Sequence, residues 1–306
     1  MHDEHTTDSA PGIQDETSLD DDAQLAAHHL ELAQDPERGE THYNIGLIHK
    51  YRGEWQQSLQ SSRRAAALMP DDEASHWNMG IAATALRDWA AAREAWRGAG
   101  IEIEPGEGPV EARFGIAPVR LNPNGGTTEV VWGQRIDPVR VLIESVPYPA
   151  SGFRCGDIVL HDGAPVGERQ FGGRTYPVFN VLELFEASGQ STFEVEVRAR
   201  DRADLGALCK ALDDAGVTNE NWTTNIRTLC RQCSEGLPHD HHDNEGQPGW
   251  PDSHLIGISA MDPAPARQIC EAWSRRHDTL PHRLTGRAAS DRLLRFEQVL
   301  AGATRH

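Results

Sequence analysis

Tyr43-Asn44-Ile45-Gly46 returns as Trp77-Asn78-Met79-Gly80. The same interval carries Trp55 onto Trp89, Ala65 onto Ala99 and Pro36 onto Pro70. A fixed period of about 34 residues is the signature of stacked helix–turn–helix units, each of which buries its apolar face only against its neighbours. Such an array offers a surface to a partner and performs no chemistry of its own.

The flanking sequence sets the limits of the array. Residues 1–22 hold eight carboxylates, no Lys or Arg and no aromatic residue, so they bury too little to offset ordering entropy and read as a disordered acidic tail. The run Asp20-Asp21-Asp22 suits a helix N-terminus. A helix from about 22 to 34 follows, ended by Asp35-Pro36.

With these residues in place, the segment 23–100 resembles the tetratricopeptide repeat (TPR) family. Bulky Tyr43 and Trp77, close-contact Gly46 and Gly80, aromatic Trp55 and Trp89, small Ser58 and Ala92, then Ala65 and Ala99, fall on the family's positions. Ser62 departs from it where Trp96 fits, and His49 and Ala83 stand where an aromatic residue is frequent. The resemblance implies paired antiparallel helices, with the first helix of each pair lining a groove. Carried over residue by residue, that groove is lined by Tyr43, Leu47, Lys50 and Tyr51 in one copy and by Trp77, Ile81, Thr84 and Ala85 in the next. It suits an apolar helix or an extended peptide with aromatic anchors. Two and a half copies are few, so the same surface is open to a second reading: cover by this chain's own next domain or by self-association.

Pro105-Gly106-Glu107-Gly108-Pro109 breaks the helical period and reads as a linker after a 23–104 repeat domain. Beyond it Val139, Val141 and Ile143 alternate with Arg140, Leu142 and Glu144. Turn words punctuate short strands at Asn122-Pro123-Asn124-Gly125-Gly126, Asp162-Gly163 and Gly172-Gly173. Residues 110–188 are therefore expected to form a small all-β barrel or sandwich of about five or six strands. A third domain spans 191–306. It holds a strand with Phe193, Val195 and Val197, a helix over about 202–215 and a strand over about 221–229. Leu255-Ile256-Gly257-Ile258 and a helix opened by Asp262-Pro263 follow, and a last helix is expected over about 289–301. That order resembles a ferredoxin-like α+β sandwich. The expected whole is multidomain α and α+β.

Composition narrows the function. The formal net charge is −18, and residues 1–104 hold 20 acidic against 8 basic groups. This is the wrong balance for non-specific nucleic-acid binding. The chain has no apolar run long enough to span a membrane and no signal-peptide pattern, and its odd count of five cysteines fits a reducing compartment, so a cytoplasmic protein is expected. No phosphate-cradling loop, Gly-x-Ser-x-Gly or His-Glu-x-x-His stretch occurs, which leaves no catalytic residue to name.

The one chemical constellation is Cys230-x-x-Cys233 followed by His239, His241 and His242. Two thiolates and nearby imidazoles can complete a tetrahedral zinc set. The spacing also admits a solvated His/Asp loop or a redox pair. Cys209 and Cys270 lie on apolar helix faces and read as core, and His28-His29 read as surface. Two functions follow. One is a protein-interaction adaptor or scaffold that binds a partner protein or peptide segment in its repeat groove. The other is a zinc-binding C-terminal module, enzyme or sensor, recruited by the repeats.

Overall fold

The computed structural model describes residues 14–112, 114–125, 128–223, 228–229, 250–251, 253–277 and 283–287. Helix bounds repeat as the sequence does. After α1 (Gln14–Gln34) come α2 (Gly39–Tyr51), α3 (Trp55–Leu68), α4 (Glu73–Ala85) and α5 (Trp89–Gly98), so each helix of the second pair starts one full period after its counterpart. The second pair is capped by side chains: Asp72 accepts from the Ser75 N–H and Asp88 from the Ala91 N–H. Arg38 and Glu54 occupy those places in the first pair and make no such bond. The left-handed residue between paired helices is Gly53 in one copy (φ +70°) and Arg87 in the other (φ +59°).

Small residues let the helices touch. A Cβ on Gly46 would come 2.8 Å from Ser62 Oγ, and one on Gly80 would come 2.5 Å from the Trp96 ring. The two copies thus solve one contact with opposite volumes, which accounts for Ser62 in the first. Ala65, Ala82, Ala83, Ala92, Ala95 and Trp96 are buried around these contacts.

Two expectations for this half change. Helix α1 starts at Gln14 rather than near 22, so the Asp20–Asp22 run lies inside a helix, not at its N-terminus. Like charges there are held by an opposite one: Arg52, which ends α2, donates Nε to Asp21 at 3.2 Å and Nη1 to Asp22 at 2.7 Å. The Pro/Gly stretch expected as a linker is strapped to α5, because Arg93 donates to the carbonyls of Gly108 at 2.9 Å and Pro109 at 2.8 Å.

Contacts divide the chain into two compact units, Met1–Val110 and Glu111–His306. The second unit begins with β1 (Ile116–Leu121), β2 (Thr128–Arg135), β3 (Arg140–Ile143), β4 (Ile158–Phe171) and β5 (Arg174–Glu186). Neighbours in sequence pair antiparallel, and β1 also pairs parallel with β5 at Val119↔Phe179, which closes the five strands into a ring. Closure removes the exposed edges that an open sheet would leave. Val119, Leu121, Val131, Val141, Ile143, Val159 and Val181 fill the interior. Gly172-Gly173 makes the β4–β5 turn with φ of +57° and +74°, the two positive values a tight hairpin needs. Asp162-Gly163 was expected to be a turn between strands. It lies inside β4 instead, at a register shift where the strand bulges.

The chain continues through β6 (Ser191–Val197), α6 (Arg202–Asp214), β7 (Thr218–Asn221), β8 (Thr228–Leu229), β9 (His254–Ala260), α7 (Ala264–His277) and β10 (Arg283–Arg287). Four of these strands form a second sheet in the order β10-β6-β9-β7, antiparallel throughout. Val195, Val197, Ile256 and Ile258 face the helices, packed with Leu205, Leu208, Leu212, Cys270 and Trp273. The strand expected at 221–229 divides: β7 ends at Asn221, while β8 joins the barrel beside β2. The last helix expected over 289–301 falls outside the described residues.

The boundary expected near residue 189 does not separate two bodies. Glu220 accepts from the Val146 N–H at 3.1 Å, and Trp222 Nε1 donates to the Val146 carbonyl at 3.0 Å. Trp222 also packs against the Tyr148 ring, with centroids 4.5 Å apart and planes tilted by 50°, and lies over Gly257. The chain is multidomain, with a helical N-terminal unit and an α+β C-terminal unit.

Candidate functional site

The face expected to bind a partner is partly spent on packing. Ile81 is fully buried. Lys50 is 4 % exposed, its Nζ donates to Asn78 Oδ1 at 3.0 Å, and it lies over the Tyr51 ring. A lysine stem tolerates burial when its tip is bonded, and here the bond joins the two repeats. Thr84 is buried as well, while Tyr43, Leu47, Ala85 and Trp77 are half-buried and Tyr51 is exposed. Trp77 rests edge-on against Trp96 at 5.3 Å.

A large cavity of the helical unit lies elsewhere. It measures about 900 Å³ and is open to solvent between α1, α2 and α3. Helix α2 supplies the floor with His42, Ile45 and His49, which share a face by helical spacing. One wall is His29 and Leu32 of α1; the other is Gln57, Gln60, Arg63 and Arg64 of α3. None of the described lining residues is acidic, in a chain with 47 carboxylates and 29 Lys and Arg. The lining cations have outer partners. Arg64 reaches Glu37 at 3.3 Å, Arg63 reaches Asp88 at 3.6 Å, and His49 pairs with Glu54. His42 Nε2 lies 3.0 Å from the Pro36 carbonyl. Sequence reading missed this surface because His, Gln and Arg at helical spacing look like an ordinary solvated face. The signal available was the missing acidic residues along 42, 45, 49, 57, 60 and 64.

In the second unit His161 is fully buried against Phe179, with ring centroids 4.6 Å apart. Its Nδ1 accepts from the Gly163 N–H at 3.1 Å. Burial pushes the imidazole down to about 3, and the Arg135 charge adds to the effect. The folded chain therefore keeps His161 neutral at pH values where an unfolded one is protonated. Stability is complete above about pH 6.5 and is lost as pH falls toward 3, by about 4 kcal/mol for this group alone. Urea unfolding followed from pH 7 to 3.5 should show that loss, and His161→Gln should flatten it. An unchanged slope would remove His161 from the account.

Burial raises the thiol of Cys270 to about 11 and also raises those of Cys209 and Cys155, which makes all three poor nucleophiles. Cys230, Cys233, His239, His241 and His242 lie outside the described residues, and the zinc expectation rests on their spacing alone. Among the described residues no three His, Cys, Asp or Glu side chains gather as a metal site. No helix among them is long and apolar enough to cross a membrane.

No family model and no curated protein matches the chain. One solved structure similar to it is a hypothetical protein from Neisseria gonorrhoeae. It is 14 % identical over 56 % of this chain and 93 % of its own, with a TM-score of 0.27. A likeness of that size carries no argument.

Proposed function

We propose that this chain is a protein-interaction adaptor whose helical unit holds an acidic segment of a partner polypeptide in the groove between α1, α2 and α3. The scaffold is a tetratricopeptide-type array, supported by helix bounds that recur at the interval of the sequence repeat and by glycine contacts in phase with them. The second sheet of the other unit has a strand–helix–strand–strand–helix–strand order and an antiparallel arrangement that support a ferredoxin-like topology.

The observation that carries the binding reading is the groove's composition. Leu32, Ile45 and Ala67 give it apolar surface, and Arg63 and Arg64 give one wall positive charge. Glu37 and Asp88 are 77 % and 44 % exposed. Their pairs with Arg64 and Arg63 are each worth about 0–1 kcal/mol, so partner carboxylates can replace them at little cost. An amphipathic helix with acidic residues beside its apolar stripe fits both features.

The test is co-purification from the native host with the full chain as bait. Arg63→Glu with Arg64→Glu should lower partner recovery at least tenfold, with the melting temperature unchanged. Tyr43→Glu with Tyr51→Glu, on the first-helix face, should leave recovery within twofold. Equal recovery by bait and charge-reversed bait would refute the assignment.

A further inference from the structure

Helix α1 forms one wall of the large groove, and the chain ahead of α1 carries the charge that the groove lacks. Residues 1–13 hold Asp3, Glu4 and Asp8 and no Lys or Arg. The groove has the reverse balance: no described lining residue is acidic, and Arg63 and Arg64 stand on the α3 wall. The present partners of these arginines, Glu37 and Asp88, are exposed carboxylates in surface pairs that another carboxylate replaces at little cost.

The reach of the segment fits as well. Arg64 pairs with Glu37, just past the end of α1 at Gln34, and Leu32 of α1 lines the same groove. At a rise of about 1.5 Å per residue, Leu32 lies about 27 Å along the helix from Gln14. The dipeptide Pro11-Gly12 stands just ahead of the helix, and Pro-Gly favours a reversal of the chain. An extended chain returning from that turn gains about 3.3–3.6 Å per residue, which brings Asp3 and Glu4 about 26–32 Å back, level with the two arginines.

We propose that residues 1–13 of this chain occupy the groove between α1, α2 and α3 when no partner is bound, with Asp3 and Glu4 against Arg63 and Arg64. This rests on the adaptor reading and adds a regulator to it, because an incoming acidic segment has to displace the chain's own. Covalent attachment presents the segment to the groove at an effective concentration on the order of millimolar. Weak surface ion pairs then suffice for partial occupancy, so the segment sets a threshold for partner binding and does not abolish it.

The test uses the purified full chain with a benzophenone amino acid in place of Gln60, which lines the groove. Irradiation at high dilution should join position 60 to a residue of the 1–13 segment within one molecule. Asp3→Asn, Glu4→Gln and Asp8→Asn together should lower the yield of that adduct at least fivefold and leave the melting temperature unchanged. The same three changes in the chain with Gln60 intact should raise its affinity at least threefold for a fluorescein-labelled peptide of Glu-Glu-Leu-Leu repeats. The two readings fail separately. An adduct with the own segment, together with no peptide binding by either chain, keeps the segment in the groove and removes the adaptor reading. Peptide binding of equal strength by both chains, with no adduct to residues 1–13, overturns the proposal and leaves the adaptor reading standing. An adduct that joins two copies in an isotope-mixed sample, or one indifferent to the three changes, also overturns it.

Discussion

Gly80→Ala should lower the stability of the helical unit by about 1–3 kcal/mol, the opposite sign from the usual effect of removing a glycine from a helix. Alanine is intrinsically the better helix former by about 1 kcal/mol. At Gly80 the new methyl would sit 2.5 Å from two ring carbons of Trp96. That ring is rigid and fully buried, and it also braces Trp77. The clash can be relieved only by moving helices. Gly80→Val should cost more. Trp96→Ala removes the ring and should cost about 3–5 kcal/mol by leaving a cavity. Gly80→Ala combined with Trp96→Leu should be less damaging than the sum of the two, because they share one contact. Thermal melts followed by helical circular dichroism check these variants, with Trp96→Leu alone completing the cycle. A Gly80→Ala protein that melts higher than the parent would show that the helices are not in contact there.

Trp222→Ala is the second large expected effect, again about 3–5 kcal/mol. The indole joins the two sheets of the C-terminal unit by three contacts: its bond to the Val146 carbonyl, its tilted ring contact with Tyr148 and its seat over Gly257. Trp222→Phe keeps a ring and loses the bond, for about 1 kcal/mol. Gly257→Ala should resemble Trp222→Ala, because a Cβ there would overlap the indole. Hydrogen exchange gives the specific readout. Trp222→Ala should speed exchange of the Val146 amide, which is bonded to Glu220 across the seam, more than that of Val159 in the barrel core. Uniform acceleration would mean that the barrel itself is lost and that Trp222 is not a link.

The helical half was legible because its contacts are local and periodic. Tyr43, Gly46, Trp77 and Gly80 show the repeat directly, and helix ends fall where Pro36, Pro70 and the Asp72 and Asp88 caps require. What those helices offer a partner was less legible. Lys50 looks like a groove cation in the sequence, yet it reaches into the next repeat to bond Asn78. Helix α1 supplies one wall of the large groove, and its stretch from Gln14 to Asp21 lies ahead of the start at 22 that the sequence suggests. In the second half the strands of the barrel could be read from alternation, but its closure could not. Ring closure joins the first strand of the barrel to the fifth at Val119↔Phe179, and β8 returns from beyond the first helix of the second sheet to meet β2 at Thr128↔Leu229. Pairings that distant leave no local pattern. Strand β10, Arg-Leu-Thr-Gly-Arg, has one apolar residue and gives no alternation to detect.

The adaptor reading is tested most directly by photo-crosslinking in the native host. A benzophenone amino acid replaces either Gln60, which lines the α1–α3 groove, or Tyr51, which is 61 % exposed on the first-helix face. The account predicts a discrete adduct with an acidic polypeptide from position 60 and none from position 51. An adduct from position 51 alone would contradict it.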